Sequence, residues 1–483
     1  MFSPINYIKR DKKIEDMLEK SKGVKNAKIT RAQLDDRGIH IDKNNNSIMD
    51  TNKFINYALT RVIAKENEEG IWFYNLREKH YDLLSERKYK KIFFHIVEEA
   101  SDSIWKDSMQ RKYLEYFKNK VSGFKTDGNT AGVLQFNNCI VDFSGEEVVV
   151  SPPSAKHFCN FRLPYNYDEN AKCPKFMDFL RDIFEKDQER IDLVQEIMGA
   201  CLFYEKCMQN LVVFLGNGAN GKSVLASTIK HMLGDNNVSA ISLDRLSGDR
   251  FSKQNLDKKL LNISSETKSG KIYSTADLKT LTGGDSTEVE KKFKDAYTTE
   301  IYCKYILLAN EMIQTEDHSD GFYRRLIIIP FNRHYCDAVP GEEPDENKLY
   351  KDPFLEGNLM LELPGIFNFA LDGLLRLWAN DFQFTFSSAC DKAKKKYMNE
   401  HNVVKYFMSE CIDIVGVGNK QKIQSPQLYP AFVKFCRENG FYHKLTKPKF
   451  FGLFNQIIED ENLDVMKKKG HNDYFYDGMT FKK

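Results

Sequence analysis

Residues 210–223 read Asn-Leu-Val-Val-Phe-Leu-Gly-Asn-Gly-Ala-Asn-Gly-Lys-Ser. An apolar run suited to a buried strand leads directly into the pattern G-x-x-x-x-G-K-[ST]. Residues 224–233 then carry helical spacing, ended by Gly234-Asp235. A strand, a glycine loop and a helix in that order predict a layered α/β unit. The glycines allow backbone N–H groups to turn inward around a phosphate chain. The expected cradle is Gly216, Asn217, Gly218, Ala219, Asn220, Gly221, Lys222, Ser223 and Val224. Lys222 would place its charge on the β- and γ-phosphates, and the Ser223 hydroxyl would hold Mg²⁺. ATP and Mg²⁺ are therefore the expected cofactors.

Three further elements follow. Lys-Leu-Leu-Asn-Ile-Ser-Ser-Glu, residues 259–266, reads as a strand ending in Glu266, a candidate to polarise water or act on Mg²⁺. Ser265 stands where a second carboxylate is usual. Residues 303–310, Cys-Lys-Tyr-Ile-Leu-Leu-Ala-Asn, form an apolar strand tipped by Asn310, which could orient water against the γ-phosphate. Residues 320–331 place Arg324 and Arg325 before a buried strand, as a finger for a neighbouring subunit's ATP would require.

With 483 residues the chain is long enough for about three domains. The pattern predicts a multidomain α/β protein. Residues 1–125 are expected to be a mostly helical domain, and 126–190 a lead-in of short strands and helices. Residues 191–386 would form the ATPase core and 387–483 a terminal DNA-binding module. Helical spacing is read at 50–64, 88–105, 175–185, 189–204 and 364–378, and short strands are read from Val133 onward. The ten cysteines include no Cys-x-x-Cys, which disfavours a zinc ribbon. No apolar stretch approaches a membrane span, and no apolar leader opens the chain, so a cytoplasmic protein is expected.

The order of these four elements resembles that of the superfamily 3 helicases, an AAA+ group of small-genome replication. The likeness is greatest to the phage/plasmid and poxvirus primase-helicase branch. It is carried by 216–223, Ser264-Ser265-Glu266, Leu-Thr-Gly-Gly-Asp at 281–285, 305–310 and Arg-Arg-Leu-Ile-Ile-Ile-Pro-Phe at 324–331. Lead-in blocks at 194–199 and 136–142 are similar too. The resemblance implies an AAA+ core assembled as a hexamer, moving 3′ to 5′ and drawing single-stranded DNA through a central pore. It also implies a replication initiator of a phage-satellite or pathogenicity-island element, working in a bacterial host cytoplasm.

By the same resemblance Arg325 is the arginine finger, with Arg324 as the fallback. A DNA-gripping hairpin falls at 288–297, with Lys291, Lys292, Phe293 and Lys294 at its tip. Lys292 and Phe293 match a Lys-His pair of animal-virus members. The C-terminal module is similar to a winged helix. Its recognition-type helix would start with Lys447 and Lys449, and Lys467, Lys468 and Lys469 would form a basic wing on duplex origin DNA. That end carries 17 Lys+Arg against 11 Asp+Glu over 387–483. No Ser-x-His accompanies paired carboxylates, so no primase is expected. The alternative readings are a packaging or partition ATPase, or a DNA-binding adaptor with an inactive ATPase.

Overall fold

The computed structural model describes residues 2–11, 31–41, 47–67, 69–99, 107–121, 131–145, 147–249, 251–265, 275–290, 296–313, 315, 319–337, 348–439, 441, 445–471 and 473–482.

The N-terminal unit is less helical than its sequence suggests. Helices Thr51–Arg61, Glu86–Glu98 and Asp107–Lys120 pack with a three-stranded antiparallel sheet, Ala64–Asn67, Gly70–Asn75 and His80–Leu83. The sequence carries little strand signal here, because Ile71-Trp72-Phe73-Tyr74 is a short continuous apolar run without period-two alternation. Asp50 caps the first helix by accepting from the Lys53 N–H at 3.1 Å. An aromatic core of Phe54, Phe73, Phe93, Tyr113 and Phe117 holds the unit together.

Next comes a four-stranded sheet in the order Val149–Ser151, Ile140–Asp142, Val133–Gln135, Phe161–Arg162. Helices α1 (Pro174–Ile183) and α2 (Gln188–Ala200) follow. The central sheet contains β1 (Leu211–Leu215), β2 (Val238–Ser239), β3 (Leu261–Ser265), β6 (Lys304–Ala309) and β7 (Leu326–Pro330). Their spatial order is β2-β3-β6-β1-β7, and every neighbouring pair is parallel. Between β3 and β6 the chain forms helix α4 (Ala276–Gly283) and a separate hairpin, β4 (Ser286–Val289) with β5 (Tyr297–Glu300). Helix α3 (Lys222–Leu233) follows β1.

Side chains on β1 alternate between two cores. Val212 and Phe214 face one, and Leu211 and Val213 the other. Strand β7 does the same with Ile329 against Leu326 and Ile328. A parallel sheet covered on both faces needs apolar residues at both positions, which is why these strands read as unbroken apolar runs.

The first core also takes in Leu134, Phe136 and Phe161 from the preceding sheet, Leu359 from helix α5 (Leu355–Leu361), and Phe367 and Leu374 from helix α6 (Leu363–Ala379). The lead-in therefore shares one core with the central sheet. Helix α7 (Ser388–His401) also belongs to the central unit: it packs on β7, and Tyr397 enters the second core. The C-terminal core starts at Val403, in helix α8 (Val403–Cys411), rather than at residue 387. It includes helices α9 (Ser425–Glu438) and α10 (Lys447–Asp460). Strands β9 (Lys422–Gln424), β11 (Tyr474–Asp477) and β10 (Met466–Lys469) pair in that spatial order. Strands β8 (Ile412–Ile414) and β12 (Met479–Phe481) form a second pair. No helix among the described residues is long and apolar enough to cross a membrane.

Candidate active site

The site forms at the C-terminal ends of β1, β3 and β6, where open α/β sheets bind ligands. Strand β1 runs into the loop at Gly216, whose N–H donates to the Ala309 carbonyl at 3.1 Å. The turn requires left-handed backbone: φ is 91° at Gly218, 46° at Ala219 and 89° at Gly221. A Cβ at Gly221 would also meet Ile183 Cγ2 at 2.6 Å. From Gly221 the chain enters α3, whose first-turn N–H groups, at Lys222, Ser223 and Val224, lack intrahelical acceptors. Those donors and the positive end of the helix favour an anion.

Lys222 is only 6% exposed. Its Nζ donates to the Gly216 carbonyl, to Asn220 Oδ1 at 3.2 Å and to Asn310 Oδ1 at 3.4 Å. All three acceptors are neutral. Burial holds the ammonium below the ordinary lysine range. A buried cation with no counter-ion among the described residues is costly. A phosphate chain would supply the missing charge.

The loop opens into a cavity of about 1080 Å³. Ser223 is exposed towards it, and Ser265 and Asn310 line it from the tips of β3 and β6. Ser223 offers an oxygen ligand suited to a hard cation such as Mg²⁺. Glu266, the other residue expected to act on the metal, lies outside the described residues, as do Lys291, Lys292, Phe293 and Lys294. The strands bracketing that tip are antiparallel, with Val289 opposite Tyr297.

Several cavity residues carried no sequence signal. Asp182, on α1, accepts from the Tyr335 hydroxyl at 2.6 Å, and its carbonyl accepts from Arg333 Nε at 3.2 Å. The Tyr335 N–H donates to the Ala219 carbonyl at 2.7 Å, so this group clamps the phosphate loop from outside. Burial and the Asp182 carboxylate push the Tyr335 phenol well above its usual pKa. Lys175 donates to Asn358 at 2.9 Å across the mouth. These residues come together only through folding, so no local motif announces them.

The two arginines sit elsewhere. Leu211 pairs with Leu326, so Arg325 lies before the first residue of β7, level with Asn210. It is about 20 Å from the level of Gly216 at ~3.3 Å per residue. It stands at the opposite end of the strands from the loop of its own chain. Arg325 Nη1 is tied to the Gly321 carbonyl at 2.5 Å, whereas the Arg324 side chain is exposed.

The C-terminal lysines belong to a separate unit. Lys447 and Lys449 are exposed in the first turn of α10. Lys467 and Lys469 share one face of β10, Lys467 Nζ lying 5.0 Å from the Tyr474 ring centroid. Lys468 departs from expectation. It points to the other face and pairs with Asp477 at 2.5 Å.

Residues 52–185 match the family model described as D5 N terminal like, and residues 214–325 match a family of unknown function. The chain is similar to viral helicase-type proteins. It is 30% identical over 159 residues to "Putative helicase L207/L206" of Acanthamoeba polyphaga mimivirus, covering 32% of this chain and 16% of that protein. It is 22% identical over 372 residues to "Putative helicase 184R" of Invertebrate iridescent virus 6, covering 70% of this chain and 36% of the relative. The alignments thus span well under half the length of both relatives. The fold resembles the A form apo structure of the NrS-1 C terminal region, at a TM-score of 0.50 and 13% identity, over 86% of this chain and 96% of that one.

Proposed function

We propose that this chain is an ATP-dependent DNA helicase of the superfamily 3, AAA+ type that acts in replication of a mobile genetic element in a bacterial cytoplasm. The observation that carries the reading is Lys222: a buried ammonium bonded only to neutral oxygens, at the head of a helix and beside a large cavity. The similarity to viral proteins named as helicases supports DNA as the polymer acted on.

In this reading the loop N–H groups and Lys222 hold the β- and γ-phosphates. Bound Mg²⁺, held by Ser223 and Glu266, would neutralise phosphate charge. Asn310 orients the attacking water and Glu266 polarises it. Contact between Lys222 and Asn310 joins the phosphate loop to the tip of β6. Because Arg324 and Arg325 lie at the far end of the strands from the loop, a finger from this pair would serve a neighbouring subunit, which favours a ring, here a hexamer. The hairpin tip at 291–294 would grip single-stranded DNA in the pore and move it 3′ to 5′. The C-terminal unit would act as a winged helix that anchors duplex origin DNA through Lys447, Lys449, Lys467 and Lys469.

Lys222→Ala tests the reading. Steady-state ATP hydrolysis, with and without single-stranded DNA, should fall to background while circular dichroism stays unchanged. Turnover near the unaltered rate would refute the assignment. Glu266→Gln should retain ATP binding and lose turnover. The replacement of a carboxylate by Ser265 favours one second reading, a nucleotide-binding adaptor with no hydrolysis. An unaltered chain that binds ATP and never turns it over would select it.

A further inference from the structure

A second cavity, of about 740 Å³, lies in the N-terminal unit, far along the chain from the phosphate loop. Three segments wall it: the strap around Lys9–Asp11, the end of the short helix Arg31–Asp36, and one face of helix Thr51–Arg61 that presents Lys53, Asn56, Tyr57 and Thr60 at helical spacing. Five cationic side chains line it against three carboxylates.

Arg37 is the decisive residue. It is 2% exposed. Its Nη2 donates to Asp11 Oδ2 at 3.1 Å. Its Nη1 is screened from water and has no acceptor among the described residues. A buried guanidinium N–H without an acceptor is costly, and native proteins seldom tolerate one without a reason. The Arg37 guanidinium is also fixed in place. It lies 5.1 Å from the Tyr57 ring centroid, and the Tyr57 hydroxyl donates to the same Asp11 oxygen at 2.7 Å. Arg61 braces this arrangement through Glu99, at 2.7 and 3.0 Å, and through the Lys9 carbonyl at 2.7 Å. Arg61 is thus largely neutralised, whereas Arg37 keeps a donor to offer. Lys9 and Lys53 stand exposed at the rim.

We infer that this cavity is a binding site for a phosphate group, held by the orphaned edge of Arg37 with Lys9 and Lys53 closing over it. Guanidinium groups match phosphate geometry, and their charge-assisted bonds to it are stronger than neutral ones. The volume suits a nucleotide-sized ligand. Two sources share this chemistry: a free phosphate or nucleoside monophosphate, and the terminal phosphate of a DNA strand. The inference does not depend on the function proposed above.

The test uses the full chain carrying Lys222→Ala, which removes the cation of the phosphate loop, and assigns to this cavity only the binding that the changes at Lys9, Lys53 or Arg37 remove. Equilibrium dialysis would be run with inorganic phosphate, with deoxyadenosine monophosphate, and with a dodecanucleotide bearing a 5′-phosphate or a 5′-hydroxyl. Saturable binding of at least one phosphate probe is expected. Lys9→Ala with Lys53→Ala should weaken it about tenfold, the loss of a single good charge-assisted contact. Arg37→Gln should abolish it. In the chain that retains Lys222, the Lys9/Lys53 pair of changes should leave ATP turnover unaltered. Preference for the 5′-phosphorylated strand over its hydroxyl counterpart would assign the site to DNA ends. Equal binding of the two strands, with free phosphate or the monophosphate held, would assign it to a small ligand. No saturable phosphate binding would overturn the inference. So would binding that the Lys9/Lys53 variant leaves unchanged, even where Arg37→Gln fails to fold.

Discussion

Lys222 shows how far single residues could be read. Its place in G-x-x-x-x-G-K-S made it a candidate, and the structure adds that it is buried and bonded only to neutral oxygens. Burial depresses its pKa, so without ligand it loses its proton at a lower pH than an ordinary lysine, at about 10.4. A phosphate ligand favours the ammonium and raises that pKa. Nucleotide binding should therefore take up a proton in the alkaline range, and affinity should fall as pH rises towards that value. Titration calorimetry in two buffers of different ionisation enthalpy measures the uptake. An unchanged apparent enthalpy across buffers at alkaline pH would contradict it. For the free protein the sign is the reverse. The unfolded chain holds the proton more tightly, so Lys222 burdens the fold at neutral pH and the burden lifts as pH rises through the depressed pKa. Asn310 was legible as a polar tip on an apolar strand. Tyr335 and Asp182 were not, because their role exists only once α1 and the segment after β7 meet.

At the scale of elements, the parallel strands were legible because a strand buried on both faces is apolar at every position. The N-terminal sheet was not, since the apolar run of its central strand, at 71–74, is only four residues long and does not tell a strand from a helix segment. The contact between α2 and α6 was also invisible in the sequence. A Cβ on Gly199 would lie 2.4 Å from the Leu374 nitrogen and 2.5 Å from the Ala370 carbonyl oxygen, and one on Gly373 would lie 2.3 Å from the Gln195 carbonyl oxygen. These helices touch backbone to backbone. Gly199→Ala should destabilise by about 1–3 kcal/mol, read as a lower denaturation midpoint, because neither backbone can yield cheaply. An unchanged midpoint would mean the helices can separate freely. On β10, alternation divides the three lysines. Lys467→Ala with Lys469→Ala should weaken duplex binding and flatten its log–log salt slope by about 0.9 per lost phosphate contact. Lys468→Ala should spare that slope, since Lys468 is held by Asp477. Equal slope changes in the two variants would refute the division.

For the whole molecule, the relevant distance is the one along the strands. The phosphate loop and the paired arginines lie at opposite ends of the neighbouring strands β1 and β7, so in the reading proposed above the finger comes from a second chain. Subunits carrying Arg325→Ala should bind ATP normally and leave a neighbour's turnover reduced by ~10³ or more. Mixing them with Lys222→Ala subunits should restore some hydrolysis, because one interface in the mixed ring is then intact. The Arg324→Ala chain, treated likewise, identifies which of the two acts. Restoration with neither, once subunit exchange is shown by fluorescence transfer, would remove the finger from this pair.

Helix α7 belongs to the central sheet rather than to the unit that follows, and this decides where the chain can be cut. A polypeptide ended at residue 386 keeps every motif from 216 to 331, but it lacks the helix that packs on β7 and the Tyr397 ring in the second core. It would present the uncovered apolar face of an edge strand to solvent and to other copies of itself, the circumstance in which sheets aggregate. Ending at residue 402 keeps that cover and removes the C-terminal core, which begins at Val403. Sixteen residues would separate a precipitate from a folded central unit that can be studied alone.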